Sequence, residues 1–283
     1  MNIMKIAISA ESTIDLPKNI LSSYDIRTIP FTLVMGEDTA LDGEVSSADL
    51  FAYTQKTGKL PHTAAVNEFQ YEEYFAELKK EYDYIIHFSL SSEISSACAN
   101  ATSVAAKMEN VKVIDTRSLS TGIALLAIAA RELANQGAEP NEIIEKISKR
   151  IPHDQTSFSL ESVDFLYKGG RCSLLAMLGA NILKIKPEIY VRDGKMYPGK
   201  KYRGPMKKVV LDYVEDTLAE FNTPDLTRVF VTYSTAPEDV VEAVKERLAK
   251  AGFKEIIPTE AGATISCHCG PHCLGILSLN DGK

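Results

Sequence analysis

Short apolar runs alternate with amphipathic segments along the first half of the chain. The run at 4–10 predicts a buried strand, and the runs at 82–90 and 111–115 predict two further strands. Each strand leads into a polar, hydroxyl-rich turn and then into a helical segment, an order typical of a parallel sheet with right-handed crossovers. Ligands of such sheets bind beyond the carboxyl ends of the strands. We therefore expect the turns to meet at one sheet edge, and they lie at 12–13, 91–96 and 116–121.

The second half of the chain has a different pattern. Asp193-Gly194 lies between two β-like runs and predicts a hairpin. A boundary near 151–155 predicts two α/β domains: 1–152, with a mainly parallel sheet, and 153–283, with the hairpin and a CHCGPHC turn. The other predicted strands are 26–35, 156–160, 229–233 and 274–278. The other predicted helices are 48–56, 68–81, 140–149, 163–173, 174–183 and 205–221.

Two residue patterns predict helix starts. Asp15-Leu16-Pro17 has an acidic cap followed by a proline in the first turn. Thr235 and Glu238 have the spacing of a capping box.

Composition restricts the class of protein. The 283 residues are 45% hydrophobic and carry a formal net charge of −7, which disfavours nucleic acid as the main partner. The N-terminal residues lack the apolar stretch of a signal peptide, and no run of about 18 apolar residues follows. We therefore expect a cytoplasmic protein with unpaired cysteines, because disulfides are rare in that compartment.

Three cysteines and two histidines lie within Cys267–Cys273, which raises the possibility of a metal site. Zinc requires four converging ligands, but no second CxxC or HxxxH pair occurs in the chain. The simpler interpretation is that the cysteines fill a tight buried turn between two strands. We expect no bound metal, with a metal-dependent site as the remote alternative.

Gly169-Gly170-Arg171 is a candidate anion site. Backbone N–H groups in glycine turns can bind anions, and an arginine adds a charge suited to carboxylate or phosphate. A glycine pair after a helix is more often a simple C-cap, so the motif alone is a weak signal.

Seven ordered motifs together resemble the DegV family of bacterial fatty-acid-binding proteins, over nearly the whole chain. They are SAESTIDLP (9–17), PHTAAVNEF (61–69), LSSEISSACANA (90–101), VIDTRSLSTG (113–122), LYKGGRCS (166–173), LKIKPEIYVRDGKMYPGKKYRG (183–204) and SCHCGPHCLGI (266–276). In the last motif the family pattern keeps His268 but not the cysteines, and it has Gly where this chain has His272.

The resemblance implies a carrier that holds one long-chain fatty acid between two α/β domains. It implies that the carrier presents the carboxylate to a separate ATP-dependent fatty acid kinase subunit, which forms an acyl phosphate. By the same resemblance, the carboxylate binds Thr63 and Ser95, with Ser92 as an alternative, and His268. No cofactor other than the lipid is implied, and transient contact with a membrane is compatible with this role.

Arg171 and Arg203 are the expected counter-charges for phosphoryl transfer or kinase docking, and no catalytic residue is expected in this chain alone. Departures from the family pattern keep a second hypothesis open. Ala64 and Ala65 replace Ser-Gln, and Ser96-Ala97 replace Gly-Thr. The alternative is a lipid-binding module for storage or sensing that has no kinase partner.

Overall fold

The computed structural model describes residues 4–171 and 185–282. The predicted helix at 174–183 and Cys172 lie outside these residues. Within the described ranges, no helix is both long enough and apolar enough to cross a bilayer.

The chain forms two α/β domains, and the first contains the predicted parallel sheet. Its strands run in the order β2-β1-β6-β7, and all three pairings are parallel. The three apolar runs identified in the sequence form β1, β6 and β7. The bounds are β1 Ile6–Glu11, β2 Ile26–Ile29, β6 Tyr84–Ser89 and β7 Val111–Asp115.

The predicted strand at 26–35 is in fact two strands. Pro30 interrupts it and lacks the N–H needed to continue a ladder. The second piece joins a separate antiparallel sheet in the order β4-β3-β5. The bounds are β3 Thr32–Met35, β4 Asp38–Leu41 and β5 His62–Ala64.

The second domain contains a mixed sheet in the order β10-β9-β8-β13-β11-β12, in which only β11 and β12 pair in parallel. Asp193 and Gly194 form the predicted hairpin turn with φ values of 50° and 80°, the signs that a type I′ turn requires. The bounds are β8 Asp154–Ser159, β9 Lys186–Arg192, β10 Lys195–Tyr202, β11 Arg228–Tyr233, β12 Glu255–Glu260 and β13 Leu274–Leu279.

Ten α-helices fall within the described residues. Their bounds are α1 Lys18–Ser23, α2 Ser47–Thr57, α3 Glu68–Leu78, α4 Ala97–Ala105, α5 Thr121–Asn135, α6 Pro140–Ser148, α7 Asp164–Lys168, α8 Met206–Glu220, α9 Glu238–Lys250 and α10 Ala263–Cys269.

Both predicted helix caps are wrong. Pro17 and Pro237 occupy the N-cap positions of α1 and α9. Asp15 is buried and has φ 53°, and its carboxylate accepts hydrogen bonds from elsewhere in the fold. The Thr235 hydroxyl accepts the backbone N–H of His272 instead of capping α9.

Helix α5 lies between the two domains. Its first eleven residues are all buried, because it packs on the parallel sheet on one side and on β8, β11 and β13 on the other. One continuous apolar core therefore contains residues of both sheets, such as Ile8 and Ile86 of the first and Phe158 and Leu277 of the second. The carboxyl ends of the parallel strands face the second domain across a cavity.

Candidate functional site

A cavity lined by residues of both domains lies between them. Its wall is mainly apolar. Phe31, Leu90, Leu119, Phe158, Met196 and Leu277 are among the apolar lining residues. A mainly apolar wall with a smaller number of polar groups is typical of a site that binds a small organic molecule or a lipid.

The turns after the parallel strands contribute polar groups to this cavity, as expected. Ser95 follows β6, Ser120 follows β7, and both line the cavity. Ser95 is half-buried, and its hydroxyl accepts the N–H of Ala97. That contact uses an acceptor lone pair and leaves the Ser95 O–H free to donate to a ligand.

His268 lies on a helix and not in a turn. The predicted strand–turn–strand at the cysteine motif is wrong, because 263–269 form α10, which ends at Gly270 (φ 75°). The helix places His268 at the cavity wall, where its Nε2 is 3.0 Å from the Thr63 hydroxyl oxygen on β5.

The His268 imidazole is neutral at neutral pH. Burial lowers its pKa to about 4, and the positive charge of Arg171 and the nearby His62 act in the same direction. His268 Nδ1 has no partner among the described residues. Because an orphaned buried N–H is rarer than an orphaned acceptor, we assign the hydrogen to Nε2. The Nε2–H group then donates to Thr63 Oγ1, and the Thr63 hydroxyl hydrogen is free to reach an acceptor in the cavity.

The glycine–arginine motif places its cation beside this imidazole. A Cβ at Gly169 would lie 2.6 Å from His268 Nδ1, so only glycine permits this approach. Gly170 has φ 68°, which also favours glycine. Arg171 donates through Nη1 to the Gly169 carbonyl at 2.8 Å and lines the cavity, although its side chain is largely exposed. The motif therefore places one cation, the Arg171 guanidinium, at the rim of the cavity.

Two predicted site residues lie elsewhere. Ser92 is exposed, and its hydroxyl donates to Asp115 Oδ2 at 2.6 Å. Arg203 is exposed between β10 and α8 and does not line the cavity. The structure thus brings together Thr63, Ser95, His268 and Arg171 and separates Ser92 and Arg203 from them.

The three cysteines of the motif lie in two different surroundings, an apolar cluster and the cavity wall. Cys267 packs with Leu33 and Leu50, and its thiol donates to the Pro61 carbonyl. Cys269 and Cys273 line the cavity. Burial raises the pKa of Cys267 to about 12, and a hydrogen bond with Cys269 together with burial raises that of Cys273. Cys267 and Cys273 are therefore protonated thiols at neutral pH.

Side chains other than the cysteines could also bind a metal ion. Within 4–171 and 185–282, no three His, Cys, Asp or Glu side chains are arranged to hold a metal ion. The expectation of no bound metal stays a prediction.

His272 occupies a strained backbone position. Its φ is 57°, in the region where a non-glycine residue costs about 1–2 kcal/mol. The ring is exposed and lies 3.8 Å from Glu161. The substitution of His for the family's Gly therefore keeps the turn and places an imidazole on the surface.

Thr264 is a cavity residue that the sequence analysis missed. It lines the cavity four residues before His268, on the same face of α10. The i, i+4 spacing was the available signal, but it has meaning only if the segment is recognised as a helix.

Comparisons with known proteins agree with this architecture. The profile described as the DegV family matches residues 5–281. A DegV domain-containing protein from Clostridium acetobutylicum is 30% identical over 97% of this chain and 98% of its own length.

Two solved structures share the fold. The DegV protein of Bacillus subtilis, a fatty acid binding protein, superposes with a TM-score of 0.86 at 26% identity, covering 98% of this chain and 99% of that one. A DegV family protein from Thermus thermophilus, solved in a study of its fatty acid binding, superposes with a TM-score of 0.90, with the same coverage. At 22% identity, this similarity is evidence for a shared fold only.

Proposed function

This chain belongs to the DegV family, and from that membership we propose that it binds one long-chain fatty acid in the cavity between its domains. The observation that carries the proposal is a mainly apolar cavity wall that also carries the bonded Thr63–His268 pair, Ser95 and Arg171. Thr63, Ser95 and His268 supply neutral hydrogen-bonding groups, and Arg171 supplies one cation at the rim.

The apolar wall matches an acyl chain in its energetics. Burial of about fifteen methylenes contributes roughly 12 kcal/mol of gross transfer free energy at about 0.8 kcal/mol each. The tail can therefore provide the affinity, and the polar cluster has only to orient the carboxylate. A carboxylate accepts the Thr63 and Ser95 hydroxyl hydrogens, and Arg171 balances its charge.

Loss of the two hydroxyls tests this arrangement. We expect Thr63→Val combined with Ser95→Ala to weaken binding of hexadecanoic acid to the delipidated protein by about 1–3 kcal/mol, or roughly 5- to 150-fold. The control is Ser92→Ala, which removes a nearby serine hydroxyl that is bonded to Asp115 instead. Titration calorimetry measures both variants. Equal affinity of the double variant and the wild type would refute the assigned head-group site.

We further propose that the bound carboxylate is presented to a separate ATP-dependent fatty acid kinase subunit. Acyl-phosphate formation brings a carboxylate towards a γ-phosphate, so the developing negative charge requires cations. Arg171 at the cavity rim and the exposed Arg203 are suited to that task or to kinase docking. If no kinase partner exists, the same site serves lipid storage or sensing.

Arg203 distinguishes these two roles. Arg203→Ala is expected to leave lipid binding unchanged and to lower acyl-phosphate formation with a cognate kinase at least tenfold, about 1.4 kcal/mol of barrier. Arg192→Ala is the matched control, because Arg192 is an exposed arginine at the end of the adjacent strand. Absence of any ATP-dependent acyl phosphate with candidate kinases would favour storage or sensing.

A further inference from the structure

The cavity contains a hydroxyl group whose bonding capacity the protein leaves unused. Thr264 is only 3% exposed, and its Oγ1 has no hydrogen-bond partner within the described part of the chain. An unsatisfied buried polar group costs about 1–3 kcal/mol, so a partner supplied by a ligand would recover free energy.

The position of Thr264 in its helix explains the missing partner. Threonines inside helices usually donate to the carbonyl four residues earlier. Thr264 is the second residue of α10, so the residue four before it, Glu260, is the last residue of β12 and offers no helical carbonyl. The adjacent face of the helix, with Ala263 and Cys267, packs on Leu33 and Leu50. Thr264 lines the cavity together with Ile265 and His268.

The serine and threonine hydroxyls that line the cavity besides Thr63, Ser95 and Thr264 are already bonded within the protein. Ser120 donates to Asp15 Oδ2, and Ser234 donates to the Gly270 carbonyl. Thr232 bonds with Thr121 and Thr259. Among these lining groups, Thr264 is the one whose hydrogen bond is left for an occupant of the cavity.

The spacing along α10 indicates where on the ligand that bond forms. The four-residue rise from Thr264 to His268 is about 6 Å. An extended acyl chain advances about 1.25 Å per carbon, given C–C bonds of about 1.5 Å. Resting on the proposed fatty-acid function, we propose that Thr264 is a specificity-determining residue that selects acyl chains with a hydroxyl group near the carboxyl end, around carbons 5 and 6.

Paired ligands and paired variants test this selectivity. Dissociation constants are measured for hexadecanoic, 5-hydroxyhexadecanoic and 16-hydroxyhexadecanoic acid. The wild type is expected to prefer the 5-hydroxy acid over the unsubstituted acid by about tenfold, and to gain nothing from the 16-hydroxy group. Thr264→Val is expected to abolish the preference, and Thr264→Ser to retain it. Thr217→Val, a buried threonine of α8 outside the cavity, is the control that keeps the preference.

The possible outcomes distinguish a failure of the proposed Thr264 role from a failure of the proposed fatty-acid function. Equal wild-type affinity for the 5-hydroxy and unsubstituted acids, or an unchanged preference in Thr264→Val, overturns the role of Thr264 but leaves fatty acid binding intact. If the wild type binds none of the three acids, the proposed function fails and this inference fails with it. Thermal melting of each variant establishes that a lost preference does not reflect a lost fold.

Discussion

Asp15 is a buried carboxyl group that joins the two domains. Its Oδ2 accepts the Ser120 hydroxyl at 2.5 Å, and its Oδ1 accepts the Gly262 backbone N–H at 2.8 Å. Burial raises the pKa of Asp15 well above its usual value, and the negative charge of Asp42 adds to the effect. Two hydrogen bonds act in the opposite direction without cancelling the burial. The folded state therefore retains this proton to a higher pH than the unfolded chain does.

This proton makes stability depend on pH in a direction opposite to that of a salt-bridged aspartate. Its stabilising contribution is complete below the unfolded pKa of about 4 and is lost as the pH rises through the raised folded pKa. We expect Asp15→Asn to melt about 2–4 °C above the wild type at pH 8, the shift that about 1 kcal/mol produces. The difference in melting temperature between Asp15→Asn and the wild type is expected to be smaller at pH 5. Asp38→Asn, at an exposed carboxylate, is the control. A variant that melts below the wild type at pH 8 would contradict this account.

At the scale of elements, Gly122 sets the distance between α5 and the second sheet. A Cβ at this position would lie 2.1 Å from Ser118 Oγ, 2.4 Å from Thr156 Oγ1 and 3.0 Å from Asp154 Oδ2. These atoms belong to a buried polar group that includes the Ser118–Thr156 hydrogen bond. Burial also raises the pKa of Asp154 to about 6. The helix thus approaches β8 through a position without a side chain.

We expect Gly122→Ala to force α5 away from β8 and to lower the free energy of unfolding by about 1–3 kcal/mol or more, despite the better helix propensity of alanine. Asn135→Ala, at the exposed end of the same helix, is the matched control and is expected to be neutral or slightly stabilising. Urea denaturation measures both variants. A neutral Gly122→Ala would show that the close approach is not needed.

The elements differ in how well the sequence predicted them. Strands β1 and β6 were found because a buried strand is an apolar run whatever its neighbours, and β7, a half-exposed edge strand, was found from the repeated strand–turn–helix order. Helix α10 was missed, because Gly270-Pro271 after alternating cysteines is typical of a turn and the helix is only seven residues long. Its two faces are buried against the cavity wall and against β3 and α2, so its pattern depends on partners distant in sequence.

Prediction of the site residues was limited in the same way, because it also depends on contacts between segments distant in sequence. The family motifs supplied Thr63, Ser95 and His268 together, and the structure brings them to one cavity. Among the serines of 91–96, however, only the conformation of the turn decides which hydroxyl enters the cavity and which bonds to Asp115. The unused hydroxyl of Thr264 depends on its position in the first turn of α10, which the sequence pattern did not reveal.

At the scale of the whole molecule, the two domains share one apolar core. It runs from the parallel sheet through α5 to the second sheet, and α10 of the second domain packs on the small sheet of the first. Separating the domains would expose the face of α5 that packs on β8, β11 and β13, in a helix whose first eleven residues are all buried. The cost of that exposure couples the folding of the two halves.

We therefore expect the protein to unfold in a single cooperative transition, and fragments 1–152 and 153–283 to lack cooperative melting when produced separately. Coincident urea transitions by far-UV circular dichroism and tyrosine fluorescence would support the shared core. Mixing the two fragments is the control, because their association would restore the missing contacts. An isolated fragment with a sharp melting transition would establish an autonomous domain and contradict this expectation.

The neutral imidazole of His268 affects whether ligand binding is coupled to proton exchange with the buffer. A fatty acid is already ionised at neutral pH, the hydroxyls do not titrate there, and an arginine stays protonated. With its pKa lowered to about 4, His268 is not expected to exchange a proton with solvent when a carboxylate enters the proposed site near neutral pH. The contribution of His268 to the binding enthalpy would then be independent of the ionisation heat of the buffer.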